Sequence, residues 1–276
     1  MQTVHTKTKV LITVMTYPHP SQSYQELICT AGITEDGKWV RLYPIDYRYR
    51  PHHQKFRKYQ WIEVELAEQG AKNDQRKESR KPSLDSIRLL GEPLGTKNNW
   101  EDRRNIINKL PIHTLNELKA LYNKDKTSLG IVRPAHILDL TIEKLDPDWK
   151  PAQQNTLNQL RLFGPQPKHL AKIPFKFSYL FECEDSSKPH KAMITDWELG
   201  VLYLNEVRRL ESQQKAAESV KNKFLNELCH SSKNTQFFMG TVLPYNTWIV
   251  IGVFWPPKTS PKAPPQNLQI ELDLLQ

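Results

Sequence analysis

The chain has 276 residues, of which 38% are hydrophobic and 25% charged, which fits a soluble globular protein with one large core or two small ones. Its 39 Lys and Arg exceed its 30 Asp and Glu, giving a formal charge of +9 that favours polyanionic partners, nucleic acid first. No apolar run reaches the length of a membrane span, and three cysteines are too few for a disulfide framework. The opening Met1-Gln2-Thr3-Val4-His5 lacks the charged-then-apolar layout of a secretory signal, so the cytosol is the expected compartment and no membrane partner is expected.

The first third reads as β. Segments 9–17, 24–33, 38–45, 60–67 and 87–95 are rich in β-branched and aromatic residues and are bounded by turn formers such as Asp36-Gly37 and Pro18-His19-Pro20. Residues 98–110 then carry Trp100, Ile106, Ile107 and Leu110 at helical spacing, with Pro111 as a stop. Thr114-x-x-Glu117 predicts a capping box opening a helix over 114–124. Strand character returns at 128–133 and 136–144, split by Pro134, and 151–162 reads as a short helix. In 174–183, Phe175, Phe177, Tyr179 and Phe181 alternate onto one face of a strand.

A long helix is expected from Thr195, because Trp197, Val201, Leu204, Val207, Ala217, Val220, Phe224 and Leu228 recur at intervals of three and four. Two strands, 236–242 and 248–255, follow. The Pro/Lys-rich stretch 256–265 reads as a linker, and 268–275 is a last apolar segment. The strand order predicts an α+β protein with two small five-stranded OB-like β-barrels. The first covers 1–96, a helical connector 97–127, the second barrel with the long helix inserted in it 128–256, and a Pro-rich tail 257–276.

The sharpest functional pattern lies in the third strand. Val40 and Leu42 point to one face, and Trp39, Arg41 and Tyr43 to the other. An aromatic–cation–aromatic row has little reason to be buried unless it meets a ligand, and rings and guanidinium groups suit bases and phosphates. The row runs directly into residues 46–58, where Arg48, Arg50, Lys55, Arg57 and Lys58 face only Asp46, a local surplus of +4. Tyr47, Tyr49 and Phe56 interleave with these cations, and His52-His53 add anion-binding capacity.

Other motifs are weaker. Gly32 to Lys38 has phosphate-loop spacing, but Trp39 stands where Ser or Thr should hold Mg²⁺, Glu35 and Asp36 would repel phosphate, and a strand follows instead of a helix. It is a hairpin turn. Asp74 and Glu78 could hold a divalent ion, as could His190, Asp196 and Glu198 near Cys183. Thr195-x-x-Glu198 also reads as a capping box, and Cys183-x₆-His190 is not a standard zinc spacing. Cys29 shares an apolar side with Leu27, Ala31 and Ile33, where a thiol is inert packing, and no Gly-x-Ser-x-Gly elbow is present.

Cys29-Thr30-Ala31-Gly32-Ile33, the hairpin and Trp39-Val40-Arg41 resemble the opening "C-x-A-G-I … G-x-W-I-R" hairpin of the bacterial dual-OB-containing family. That resemblance implies a pair of OB-like barrels and assigns no chemistry. The expected function is a nucleic-acid-binding module, single strands favoured. Trp39 and Tyr43 would stack on bases with Arg41 as ion-pairing partner, Arg48, Arg50, Lys55 and Arg57 would contact phosphates, and Tyr49, His52 and His53 would complete the binding face. No cofactor and no metal are expected for this role. The alternatives are a metal-dependent or nucleotide-modifying enzyme acting on nucleic acid, and a non-catalytic adaptor that docks a protein partner through its C-terminal tail.

Overall fold

A computed structural model describes residues 5–21, 25–70, 74–159, 166, 168–186, 188–242 and 247–258. The Pro-rich tail expected to dock a partner lies, from 259 onward, outside the described residues. In chain order the elements are β1 (His5–Met15), β2 (His19–Ser21), β3 (Gln25–Leu27), β4 (Thr30–Thr34), β5 (Trp39–Leu42), β6 (Trp61–Ala67), β7 (Ser79–Arg80) and β8 (Arg88–Leu90). Then come α1 (Lys97–Ile107), β9 (Ile112–His113), α2 (Leu115–Asp125), β10 (Leu129–Val132), β11 (His136–Lys144), α3 (Pro151–Asn158) and β12 (Phe175–Glu182). The chain continues with β13 (His190–Met193), α4 (Trp197–Leu210), α5 (Gln213–Lys221), β14 (Gln236–Val242) and β15 (Thr247–Phe254).

The α+β class stands, but among the described residues the expected pair of barrels does not appear: none of the sheets closes. The N-terminal half forms a six-stranded sheet ordered β7-β5-β4-β1-β6-β8, with β2 and β3 as a separate hairpin. The second half splits into a four-stranded sheet, β15-β14-β10-β9, and a three-stranded one, β11-β12-β13. A single parallel bridge between Ile194 and Val250 joins these two, because β10 pairs with β14 while β11 pairs with β12. At the N-terminal sheet, β7 pairs with β5, and the residues just after it bond to the opposite side. Ala67 N–H donates to Lys81 carbonyl at 2.9 Å and Ser83 N–H to Glu65 carbonyl at 2.8 Å.

The near-continuous apolar run of β1 reflects burial on both faces. Val10 and Ile12 pack with Val40, Leu42, Ile62 and Val64 inside the N-terminal half. A bulge between Ile12 and Val14 then turns Val14 to the other side. There it joins Ala31, Ile33, Ile107, Leu129, Ile131, Phe238, Ile251 and Phe254 in a core shared by both halves of the chain. At ~1.5–3 kcal/mol per fully buried large side chain, this shared core binds the two halves into one unit. A third cluster holds the row Phe175, Phe177, Tyr179 and Phe181 against α4 and α5.

The long helix is broken. Glu211 takes φ 51°, ending α4, and Ser212 accepts from Lys215 N–H to start α5, which runs on into a π-helical turn over Asn222–Glu227. Ser219 Oγ donates to Glu206 at 2.7 Å, so the two helices lie against each other. Among the described residues no helix is long and apolar enough to cross a membrane.

Candidate anion-binding site

The two faces of β5 separate as the alternation predicts, but the aromatic–cation face meets protein rather than an open surface. Trp39 is half-buried, its ring edge-on to Phe238 at 5.6 Å and 78°. Arg41 is only 1% exposed. Its guanidinium donates to Cys29 Sγ, to Ser128 carbonyl at 3.1 Å and to Ser128 Oγ at 3.3 Å. Gly240 makes room for it: a Cβ there would sit 3.4 Å from Arg41 Nη2. Burial pushes the guanidinium pKa down, opposed by nearby Cys29 and Glu78. Tyr43 lies 6.0 Å from the Arg76 guanidinium. Arg41 is therefore closed to any ligand, which overturns its expected role as an exposed pairing group.

The basic segment is largely neutralised by carboxylates from elsewhere in the chain. Arg48 pairs with buried Glu26 at 2.7 Å and donates to His169 carbonyl at 2.6 Å. Arg50 pairs with Asp46 at 2.8 Å and Asp85 at 3.4 Å, and Arg57 pairs with Glu92. Lys58 is enclosed between Asp196 at 3.0 Å and Glu198 at 2.8 Å. Tyr49 is buried, with the Lys168 ammonium 5.9 Å from its ring, so it offers no stacking face. His52 and His53 are exposed, Lys55 is half-buried, and none of the three has an ion pair among the described residues. The sequence surplus of the segment is real, but most of it is spent on internal pairs.

The expected metal groups also part company. Asp74 takes Arg76 in a bidentate pair at 2.8 and 2.7 Å, and Glu78 accepts from Ser128 N–H and Oγ. Asp196, not Thr195, is the N-cap of α4, accepting from Glu198 N–H at 2.8 Å. His190 lies on β13, away from Asp196, and instead approaches Cys183 and Asp185.

A different cluster has the chemistry of an anion site. A cavity of about 270 Å³ opens where α1, β9, the end of β10 and the start of β14 converge. Its polar lining is Arg104 from α1 and Asn108 at the C-cap of that helix, Arg133 just after β10, and Asn234 and Gln236, over a floor that includes Ile107, Leu110 and Phe254. Among the described residues no carboxylate lines it. Arg104 donates to Pro257 carbonyl through one nitrogen, while its Nε is buried with no hydrogen-bond partner among the described residues. Arg133 is exposed. Two guanidinium groups and three carboxamides offer donors in several directions, which suits a phosphate-like oxyanion.

Aromatic groups flank this cavity. Trp100 packs edge-on to Trp255 at 4.8 Å and to Phe254 at 5.6 Å. The Arg103 guanidinium lies 3.8 Å from the Tyr59 ring and 4.9 Å from the Trp100 ring, and the Lys233 ammonium lies 5.2 Å from the half-buried Trp255. Asn98, Asn99 and Trp100 have φ of 49°, 55° and 64°, a left-handed turn that the two asparagines tolerate and that costs about 1–2 kcal/mol at Trp100. Burial of the Trp100 ring against Phe254 and Trp255 offsets it. Sequence reasoning missed this site because Arg103-Arg104 and Arg133 lie in separate elements; Arg103-Arg104 before Pro111 was its faint signal.

Residues 6–109 match a domain of unknown function, DUF8758, and residues 111–272, more than half of the chain, match a second, DUF8757. The chain belongs to the DUF8757 family. The DUF8757 region supplies Arg133, Asn234 and Gln236 to the cavity, and the DUF8758 region supplies Arg104 and Asn108, so the site straddles their junction. No curated protein matches the chain. Among solved structures, the crystal structure of the p204 HINb domain aligns with 92% of this chain and 97% of its own at 7% identity and a TM-score of 0.32. Neither topology nor function transfers at that level.

Proposed function

We propose that this DUF8757 protein binds nucleic acid, single strands by preference, with a backbone phosphate held in the cavity between Arg104 and Arg133. The observation that carries the reading is a cavity with two guanidinium groups and three carboxamides and, among the described residues, no carboxylate in its lining. The formal charge of +9 supports a polyanion over a free metabolite. The half-buried Trp255 beside Lys233 supports single strands, because a base can stack on such a ring without sequence preference. The hydrogen bonds from 81–83 to β6, opposite the pairing of β7 with β5, support an OB-like reading of the N-terminal half. They are also compatible with the dual-OB resemblance of residues 29–41.

The test is fluorescence anisotropy with a labelled oligothymidine strand at two salt concentrations. We expect affinity to fall steeply with salt. The variant Arg104→Ala with Arg133→Ala should lose about 10- to 100-fold in affinity and flatten the log–log salt slope by about 0.7, the share of one phosphate on a single strand. Arg133→Glu alone, at an exposed position, should weaken binding without changing the thermal melt. Binding that ignores salt, or that survives both variants, would refute the assignment.

A further inference from the structure

We infer that Cys183, Asp185 and His190 form a binding site for a thiophilic divalent metal ion of the zinc type. The three residues sit at the hairpin between β12 and β13: Cys183 directly follows β12, Asp185 lies in the turn and His190 opens β13. One ligand atom of each, the thiol sulfur, a carboxylate oxygen and a ring nitrogen, lies within 4.8 Å of the other two. Tetrahedral coordination at ordinary zinc bond lengths needs separations of roughly 3.3–3.8 Å. Asp185 is exposed, so its carboxylate has room to close on the other two groups.

Three further features fit a metal better than plain packing. His190 is half-buried, and its Nε2 is shielded from solvent with no hydrogen-bond partner among the described residues, which is uncommon for a ring nitrogen. Asp185 accepts a hydrogen bond from Thr114 Oγ1 at 2.7 Å, the kind of outer contact that orients a ligating carboxylate. Thr114 is itself fixed by the capping box of α2, which ties the hairpin to that helix. The mix of one sulfur, one imidazole nitrogen and one carboxylate oxygen suits zinc or cobalt and is too soft for magnesium or calcium. With three protein ligands the fourth position is left for water. On binding, the Cys183 S–H bond breaks, sulfur keeps the electron pair and forms the metal–sulfur bond, and the proton leaves to solvent.

Sequence spacing argued against this site because C-x-D-x₄-H matches no common zinc pattern, and the hairpin fold is what gathers the three groups. The site is independent of the cavity at Arg104. The test is titration of the full chain with Co²⁺, read by the thiolate-to-cobalt charge-transfer absorption and the visible d–d bands. One equivalent should bind with both signals, and Zn²⁺ should displace it. Cys183→Ser should abolish the charge-transfer band, while Cys29→Ser and Cys229→Ser should leave it intact. His190→Ala and Asp185→Asn should each weaken binding by more than 10-fold, the latter at an exposed position that spares the fold. Thr114→Ser, which keeps the hydroxyl, should bind as the native chain does. No charge-transfer band with the native chain, or an undiminished one in both His190→Ala and Asp185→Asn, would overturn the site.

Discussion

Arg41→Ala should destabilise the protein by about 3–5 kcal/mol, the range for stripping one partner from a buried charged network. The guanidinium is closed off between the two halves, with Ser128 as its main partner. Ser128 is also held by Glu78, whose Oε2 accepts from the hydroxyl at 2.7 Å and from the backbone N–H at 3.0 Å. Removing the cation leaves the Ser128 carbonyl without that donor, the Glu78 carboxylate without its nearby counter-charge, and a cavity in the shared interface. Arg41→Lys should recover little, because one ammonium cannot reach both Cys29 and Ser128 as the planar fork does. Urea unfolding measures this: the midpoint should drop with the slope unchanged. A loss under about 0.5 kcal/mol, as at an ordinary surface position, would show that the network carries no weight.

The same residue shows how far the sequence could be read. Alternation placed Val40 and Leu42 on one side of β5 and Trp39 and Arg41 on the other, and that division holds. What the second side faces is set by Ser128 and Phe238, which lie far along the chain, and no local pattern records them. The charge of 46–58 has the same weakness, since Glu26, Asp85, Glu92, Asp196 and Glu198 arrive from outside the counted window. Local devices were legible where their partners were local. The box at Thr114 and Glu117 forms with both of its hydrogen bonds. At α4, Thr195-x-x-Glu198 is a red herring, because Asp196 is buried at the cap with a lysine to hold it. The break at Glu211 falls in the ten-residue gap between Val207 and Ala217, where the apolar spacing lapses, but a left-handed glutamate itself has no sequence mark. The cavity at Arg104 depends on the parallel pairing of β9 with β10, which carries Arg133 to the side of α1.

Lys58→Met should cost about 3–5 kcal/mol for a related reason, with a pH signature that Arg41→Ala lacks. Lys58 is the counter-charge of Asp196, which is 1% exposed and caps α4 while its backbone bridges to Thr16 of the loop after β1. Burial pulls the Lys58 ammonium pKa down, but Asp196 and Glu198 together outweigh it and hold the group above its ordinary value. A raised folded pKa means that this stabilisation is fully present below the unfolded lysine value of about 10.4 and fades as pH climbs past it. The native chain should therefore keep it throughout the neutral range. In Lys58→Met the burial that already raises the Asp196 carboxyl loses the ammonium that opposed it. For that group the sign reverses in practice: a carboxyl raised by burial favours folding when protonated, so the variant should gain stability as pH falls into the carboxylate range. The gap between native chain and variant, measured by urea unfolding, should narrow from pH 7 to pH 4.5. Adding Asp196→Asn to Lys58→Met should recover most of the loss at pH 7, since asparagine still caps the helix and carries no charge to bury. A gap of equal size at both pH values, or a double variant no better than the single one, would mean that Lys58 contributes through packing of its stem rather than through its charge.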